Sequence, residues 1–189
     1  MFKDIIVIDN IFDDPDSEVE YIMQQEFLPN TSLPGKGPAW KGLRTNSLHT
    51  FNTDKHHEYF KHILEKIIHH DKAMSNDFTW SYQYKGSIVF HKLMECNKFE
   101  RSWIHTDTHN IYAGVIYLTK NPPLFSGTLI EKRHETVFVE NKYNRLVFYR
   151  SDYLHSALSG FGDESCPRLT ISFFLNEFTM TVLSNKGSN

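Results

Sequence analysis

Hydrophobic and polar positions alternate in two different rhythms along this chain, and the change of rhythm divides it. The first rhythm is helical. Val19, Ile22, Met23 and Phe27 recur at helical spacing behind Asp14-Pro15, an N-cap residue followed by a proline at the first helical position. That pattern predicts a helix over 15–27, preceded by a short β-rich strand at 4–9. A second helix is drawn more sharply: Tyr59, Phe60, Ile63, Leu64, Ile67 and Ile68 repeat as adjacent pairs every four residues, one apolar stripe over 54–70. Between the two, Pro29, Pro34, Gly35, Gly37 and Pro38 mark 28–42 as a loop. It is long for a compact domain, as functional covers often are. Trp40 and Arg44 near its far end can reach toward a ligand, although the favoured reading of Trp40 is as an anchor of the loop to the core.

After residue 76 the period becomes two. Phe78, Trp80, Tyr82 and Tyr84 alternate with polar residues, Gly86 predicts a bend, and 87–94 continues as another strand. Further strands are expected at 111–119, 128–132, 136–140 and 145–149. A Gly/Ser/Asp loop at 156–167 leads to a last strand at 168–178, and the polar tail 184–189 is expected to fray. Helices first and about eight short strands afterwards predict an α+β protein, an antiparallel sandwich or barrel backed by N-terminal helices.

Bulk properties narrow the class. A chain of 189 residues suits one domain, with its core over about 4–178 and no linker or internal repeat to divide it. The 14% of aromatic residues fits a sheet-rich core. A net charge of −3 supplies no electrostatic footprint for non-specific nucleic-acid binding. No run approaches the roughly 20 apolar residues of a membrane span. Asp4 and Asp9 interrupt the opening apolar run, against a signal peptide. Cys96 and Cys166 allow one disulfide at most and form no CxxC pattern, so a reducing cytoplasm is the expected location.

The chemistry concentrates late in the chain. His105-Thr106-Asp107 sets an imidazole and a carboxylate two residues apart, on one side of an extended chain. His155 follows the apolar run 145–149, and Arg168 opens the last strand. Two histidines and one carboxylate are the facial set that leaves three positions open on iron(II). A guanidinium thirteen residues beyond the second histidine can hold a carboxylate bound at that metal. Taken singly, each residue has an ordinary reading: a hydrogen-bonded His–Asp pair, a core histidine, a surface arginine. His109 stands four residues from His105, which would suit a helical zinc pair, but the strand expected from 111 makes it a rim residue. His56, His57, His62, His69 and His70 decorate the second helix and are expected mostly in solvent, the last two favoured by the helix dipole. His91 and His134 have no partner legible in the sequence.

In order and spacing, His105, Asp107, His155 and Arg168 resemble the iron(II)/2-oxoglutarate-dependent dioxygenase superfamily, and more narrowly its prolyl-4-hydroxylase-like branch. The opening 5–27, the Gly127-Thr128-Leu129 stretch and the run 145–149 before the second histidine share in the likeness, which spans about 4–178. It implies a double-stranded β-helix (a jelly-roll or cupin-like barrel), with iron held by His105, Asp107 and His155. 2-Oxoglutarate would chelate the metal through its keto-acid end and pair its far carboxylate with Arg168. Thr170, two residues on along the same strand face, would hydrogen-bond that carboxylate. Dioxygen would be the oxidant, succinate and CO2 the co-products, and ascorbate a candidate reductant. Related halogenases carry a small residue at the Asp107 position, so the aspartate implies a hydroxylase. The substrate would be a prolyl or peptidyl residue or a small molecule; the sequence does not select among them, nor does it speak to oligomeric state. Tyr82, Tyr84, Tyr112 and Tyr117 are candidates for lining the co-substrate pocket, although strand aromatics more often belong to the core.

Two rival readings stay open at this point. A metal-dependent cupin-like enzyme would use the same ligands without 2-oxoglutarate, leaving Arg168 without a task. A non-catalytic jelly-roll binding or structural module would carry the triad by accident.

Overall fold

A computed structural model of the chain describes residues 2, 4–29, 42–71, 79–94, 104–132 and 134–183. Its elements are β1 (Ile5–Asp9), α1 (Pro15–Met23), β2 (Leu28–Pro29), β3 (Leu43–Arg44), α2 (Leu48–Phe51), α3 (Thr53–His70) and β4 (Thr79–Leu93). They continue with β5 (Tyr112–Tyr117), β6 (Thr128–Lys132), β7 (Glu135–Val139), β8 (Arg145–Arg150), β9 (Leu154–Ala157) and β10 (Arg168–Leu183). The strands form two antiparallel sheets, one in the order β1-β8-β5-β10-β4-β3-β2 and one in the order β7-β6-β9.

Helix α3 forms where its stripe predicts. The Asn52 side chain caps it by accepting from the Lys55 backbone N–H at 3.0 Å. Tyr59, Phe60, Ile63, Leu64, Ile67 and Ile68 are all buried against the larger sheet. Each such side chain contributes about 1.5–3 kcal/mol. Helix α1 starts as expected, with the Asp14 carboxylate accepting from the Ser17 N–H, but ends at Met23 rather than 27. Phe27 still packs against the same core from beyond the helix end, beneath the Lys92 ammonium.

Register sorts the larger sheet into two faces. Ile8, Leu146, Ile116, Ile171 and Phe90 form one row across it, and Ile6, Phe148, Gly114, Phe173 and Ile88 another. Both rows face the helices. Gly114 is needed there because a Cβ would lie 2.2 Å from Cζ of Phe173. The alternate rows face the smaller sheet, where Ala113, Tyr117, Val147 and Tyr149 pack with Ile130 and Val139.

Three further expectations need correction. Gly86 does not bend the chain: β4 runs unbroken from Thr79 to Leu93. The glycine is there for proximity, since a Cβ would meet the Phe174 carbonyl at 2.4 Å and the Phe60 ring at 2.5 Å. The irregularity lies opposite, as a bulge in β10 between Leu175 and Glu177. The loop expected at 156–167 begins inside β9, four residues held by pairing with β6 rather than by any strong pattern of their own. Finally, His56 is buried rather than solvated, only 4% exposed. It extends the stripe by one turn, four residues before Phe60, and its ring packs edge-on against that phenylalanine. His62 is likewise half-buried, stacked on Phe12 with Nε2 2.6 Å from the Ile11 carbonyl, whereas His57, His69 and His70 are exposed. Trp40, Phe78, Cys96 and the tail 184–189 lie outside the described residues; Cys166 is an exposed free thiol.

Candidate metal centre

Backbone pairing brings the distant ligands together. His105 and His155 form an isolated antiparallel bridge, His105 N–H to His155 O at 3.0 Å and His155 N–H to His105 O at 2.8 Å. Fifty residues of sequence separation are thus reduced to one bridge. Asp107 is fixed separately: its N–H donates to the Ser151 carbonyl at 2.9 Å, and its carbonyl accepts from the Asn110 N–H at 2.9 Å. Asn176 completes the scaffold. It stands at the β10 bulge, and its side-chain amide donates to Asn110 Oδ1 at 2.8 Å and to the His109 carbonyl at 3.2 Å. The bulge therefore aims a side chain at the turn that carries Asp107. Sequence reasoning missed Asn176, because a bulge exists only relative to a neighbouring strand. His109 is exposed on the rim, as expected, and contributes its backbone.

The ligating atoms of His105, Asp107 and His155 lie within 4.8 Å of one another, and no other such group occurs among the described residues. His155 Nε2 is 3.1 Å from Asp107 Oδ2, and His105 Nε2 is 3.7 Å from Asp107 Oδ1. Burial is graded: the His155 side chain is 6% exposed, that of Asp107 18% and that of His105 56%, so the cluster opens to solvent on the His105 side.

The hydrogen-bond geometry suits a cation here. His155 Nδ1 is 2.9 Å from the Tyr153 carbonyl, an acceptor only, so Nδ1 carries the proton and donates. A neutral imidazole then turns its Nε2 lone pair toward a carboxylate oxygen at 3.1 Å. Two acceptors that close are arranged as a pair of ligands to one cation. Ligand atoms about 2.1 Å from an octahedral metal and at right angles are about 3.0 Å apart, so the spacing fits. The carbonyl behind Nδ1 is the outer partner that metal-bound histidines usually have.

The remaining predicted residues lie between the sheets. One row of the inner face reads Arg145, Tyr117, Thr170, His91 and Arg44. Arg168 is two residues from Thr170 on the same strand and is buried with it. Its Nε donates to the Ser126 carbonyl at 3.0 Å, and its guanidinium lies 5.5 Å from the Tyr117 ring centre. No carboxylate pairs with it among the described residues. Burial pulls the guanidinium below its ordinary pKa, and the Tyr117 and Tyr149 phenols act the other way. It nevertheless stays charged, as arginine does in proteins. A buried cation facing only carbonyls and rings is a site for an anion. Burial also lowers Arg44, and the Asp107 charge opposes that shift, which places Arg44 within electrostatic reach of the triad.

Of the four tyrosines named as pocket candidates, Tyr82, Tyr84 and Tyr112 belong to the core facing the helices. Tyr117 alone faces the inner space, its hydroxyl donating to Thr128 Oγ1 at 2.6 Å. The sequence reading passed over Tyr149, which lies on the inner face with its ring centre 4.8 Å from that of His155.

No protein-family model matches the sequence, and no curated protein resembles it closely enough to count as a match. Solved structures do resemble it. A 2OG-Fe(II) oxygenase-family oxidoreductase from Burkholderia pseudomallei superposes with a TM-score of 0.60 at 10% identity, covering 91% of this chain and 84% of its own. A prolyl hydroxylase from Trichoplax adhaerens, solved with a hypoxia inducible factor peptide fragment, gives 0.55 at 10% identity over 91% and 83%. The α-ketoglutarate-dependent epimerase SnoN of nogalamycin biosynthesis gives 0.54 at 12% over 98% and 87%. The chain therefore has the fold of the 2-oxoglutarate–iron(II) oxygenases, one shared by hydroxylases and by an epimerase.

Proposed function

We propose that the protein is a non-haem iron(II)- and 2-oxoglutarate-dependent oxygenase whose two sheets form a double-stranded β-helix around the site. His105, Asp107 and His155 would hold the iron. The keto-acid end of 2-oxoglutarate would chelate the metal, leaving a position for dioxygen, and the far carboxylate would pair with Arg168 and Thr170. The observation that carries this reading is Arg168: a buried guanidinium without a carboxylate partner among the described residues, in the same inter-sheet space as a His–Asp–His cluster. When bound, the metal and co-substrate supply an oxidant made by reducing dioxygen while 2-oxoglutarate loses CO2 to become succinate. The chain's own residues would hold the acid at both ends, orient His155 so that Nε2 faces the metal through the Nδ1–H bond to the Tyr153 carbonyl, and exclude water behind His155. Asp107 occupies a position where halide would otherwise enter, which favours hydroxylation. The acceptor is a prolyl or peptidyl residue or a small molecule; the Trichoplax neighbour's bound peptide supports the first.

The test is anaerobic. Purified protein should bind about one manganese(II) per chain, and the His105→Ala/Asp107→Ala/His155→Ala protein should bind none while keeping its fold. Manganese-loaded protein should then bind 2-oxoglutarate, and the iron form in air should release succinate. Metal binding without 2-oxoglutarate binding would leave the cupin-like alternative; stoichiometric metal in the triple variant would refute the site.

A further inference from the structure

Tyr149 is the inner-face residue that folding does not explain. It sits in the middle of β8, in register with Ile5 on one side and Ala113 on the other. Its ring packs against the His155 imidazole at 4.8 Å and 57°, and the residue is 2% exposed. A phenylalanine would make the same contacts. The hydroxyl has no hydrogen-bond partner among the described residues, although a buried phenol usually finds one. Its surroundings point to what the partner is. The ring stands against His155 and shares the inner face with Tyr117, whose ring centre is 5.5 Å from the Arg168 guanidinium, so the phenol lies beside the metal cluster on the face that also carries the guanidinium.

We infer that the Tyr149 hydroxyl is a positioning group for the co-substrate, donating a hydrogen bond to the keto-acid end that chelates the metal. It would act on the near end of the molecule as Arg168 does on the far end. A phenol donates well to carboxylate or keto oxygen and, unlike a charged donor, does not compete with the metal for the ligand. The ring's contact with His155 would fix where that donor stands. This inference rests on the function proposed above.

The experiment compares wild type, Tyr149→Phe and Arg168→Ala, each loaded anaerobically with manganese(II) and titrated with 2-oxoglutarate and with glutarate, which has both carboxylates but no keto group. Tyr149→Phe should weaken 2-oxoglutarate binding about tenfold, the size of one good hydrogen bond. Its affinity for glutarate and for manganese should stay within about twofold of wild type, and its melting temperature should not fall. Arg168→Ala should weaken both acids. In the anaerobic iron(II) form, the visible charge-transfer absorption of the keto-acid chelate should shift in Tyr149→Phe and not in Thr170→Ala. Equal 2-oxoglutarate affinity in wild type and Tyr149→Phe would overturn the inference and leave the proposed function standing. So would an equal loss for glutarate, which would move the hydroxyl to the far carboxylate, or a loss of manganese affinity, which would make it a partner of Asp107. Manganese-loaded wild type that bound no 2-oxoglutarate would remove the proposed function itself.

Discussion

The two faces of the larger sheet are built from the same strands and differ in almost everything else. Toward the helices, adjacent strands present Ile8, Leu146, Ile116, Ile171 and Phe90, an unbroken apolar row. One residue along, toward the smaller sheet, β8, β5, β10 and β4 present Arg145, Tyr117, Thr170 and His91, with Arg44 of β3 beside His91. Tyr117 and Thr170 of that row are buried, and a buried polar group costs stability that an apolar one would supply. The helix-facing side therefore holds the fold together, and the inner side is the one proposed for binding. The two buried histidines repeat the contrast. His56, in the helix-facing core, has its Nδ1 buried without a partner. His155, on the inner side, has one nitrogen committed to a carbonyl and the other turned toward a carboxylate.

If the division holds, substitutions should separate stability from binding. The largest effect is expected at Phe173, in the centre of an apolar row, stacked on Phe148 and in contact with Phe60. Phe173→Ala should lower unfolding stability by about 3–5 kcal/mol in urea titrations. The folded fraction should still bind manganese. A comparable loss of metal affinity would show that the faces are not independent. Next comes Arg168→Ala, which should weaken 2-oxoglutarate binding by roughly two to three orders of magnitude, from about 3–5 kcal/mol for breaking a buried pair. Metal affinity should barely change, and Arg168→Lys should recover only part, because a point charge does not reproduce the guanidinium fork. Thr170→Ala should cost less, about 1 kcal/mol in co-substrate affinity.

The smallest effect is a pH dependence confined to the helix-facing core. Burial above all holds the His56 pKa below its ordinary value; the bond to the Gly86 carbonyl opposes it, and the neighbouring His49 and His57 add to it. Above pH about 6.5 the residue is neutral in both folded and unfolded chains and contributes no pH slope. As pH falls below that, the unfolded chain takes up a proton that the folded chain refuses, so stability declines until the folded-state value is passed. Urea unfolding from pH 8 to 5 should show a shallower acid decline in His56→Gln than in wild type. Identical slopes would mean that other groups carry the acid response.

Much of the site was legible because its chemistry is carried by residue types. His105, Asp107 and His155 could be named from spacing and order, and their ligating atoms lie within 4.8 Å of one another; Arg168 and Thr170, named with them through the resemblance, are both buried on β10. Tyr149 and Tyr117 were not separable from Tyr82, Tyr84 and Tyr112, since all five read as aromatics in β-rich runs. His56 was misplaced because a histidine does not register as part of an apolar stripe, even at the stripe's own spacing. Asn176 had no signal at all.

By itself the sequence determined the local structure: the α3 stripe, the Asp14 and Asn52 caps, the period-two runs and the helices-then-strands order, all consequences of contacts within a few residues. Tertiary structure decided which face of each strand is which. A period of two divides a strand into two sides without saying which side meets the helices, and that follows only from register with neighbours far along the chain. The same long-range pairing made β9 a strand, produced the bulge at Asn176 and bridged His105 to His155. The metal cluster is therefore a product of topology, assembled from ligands whose chemistry the sequence already carried.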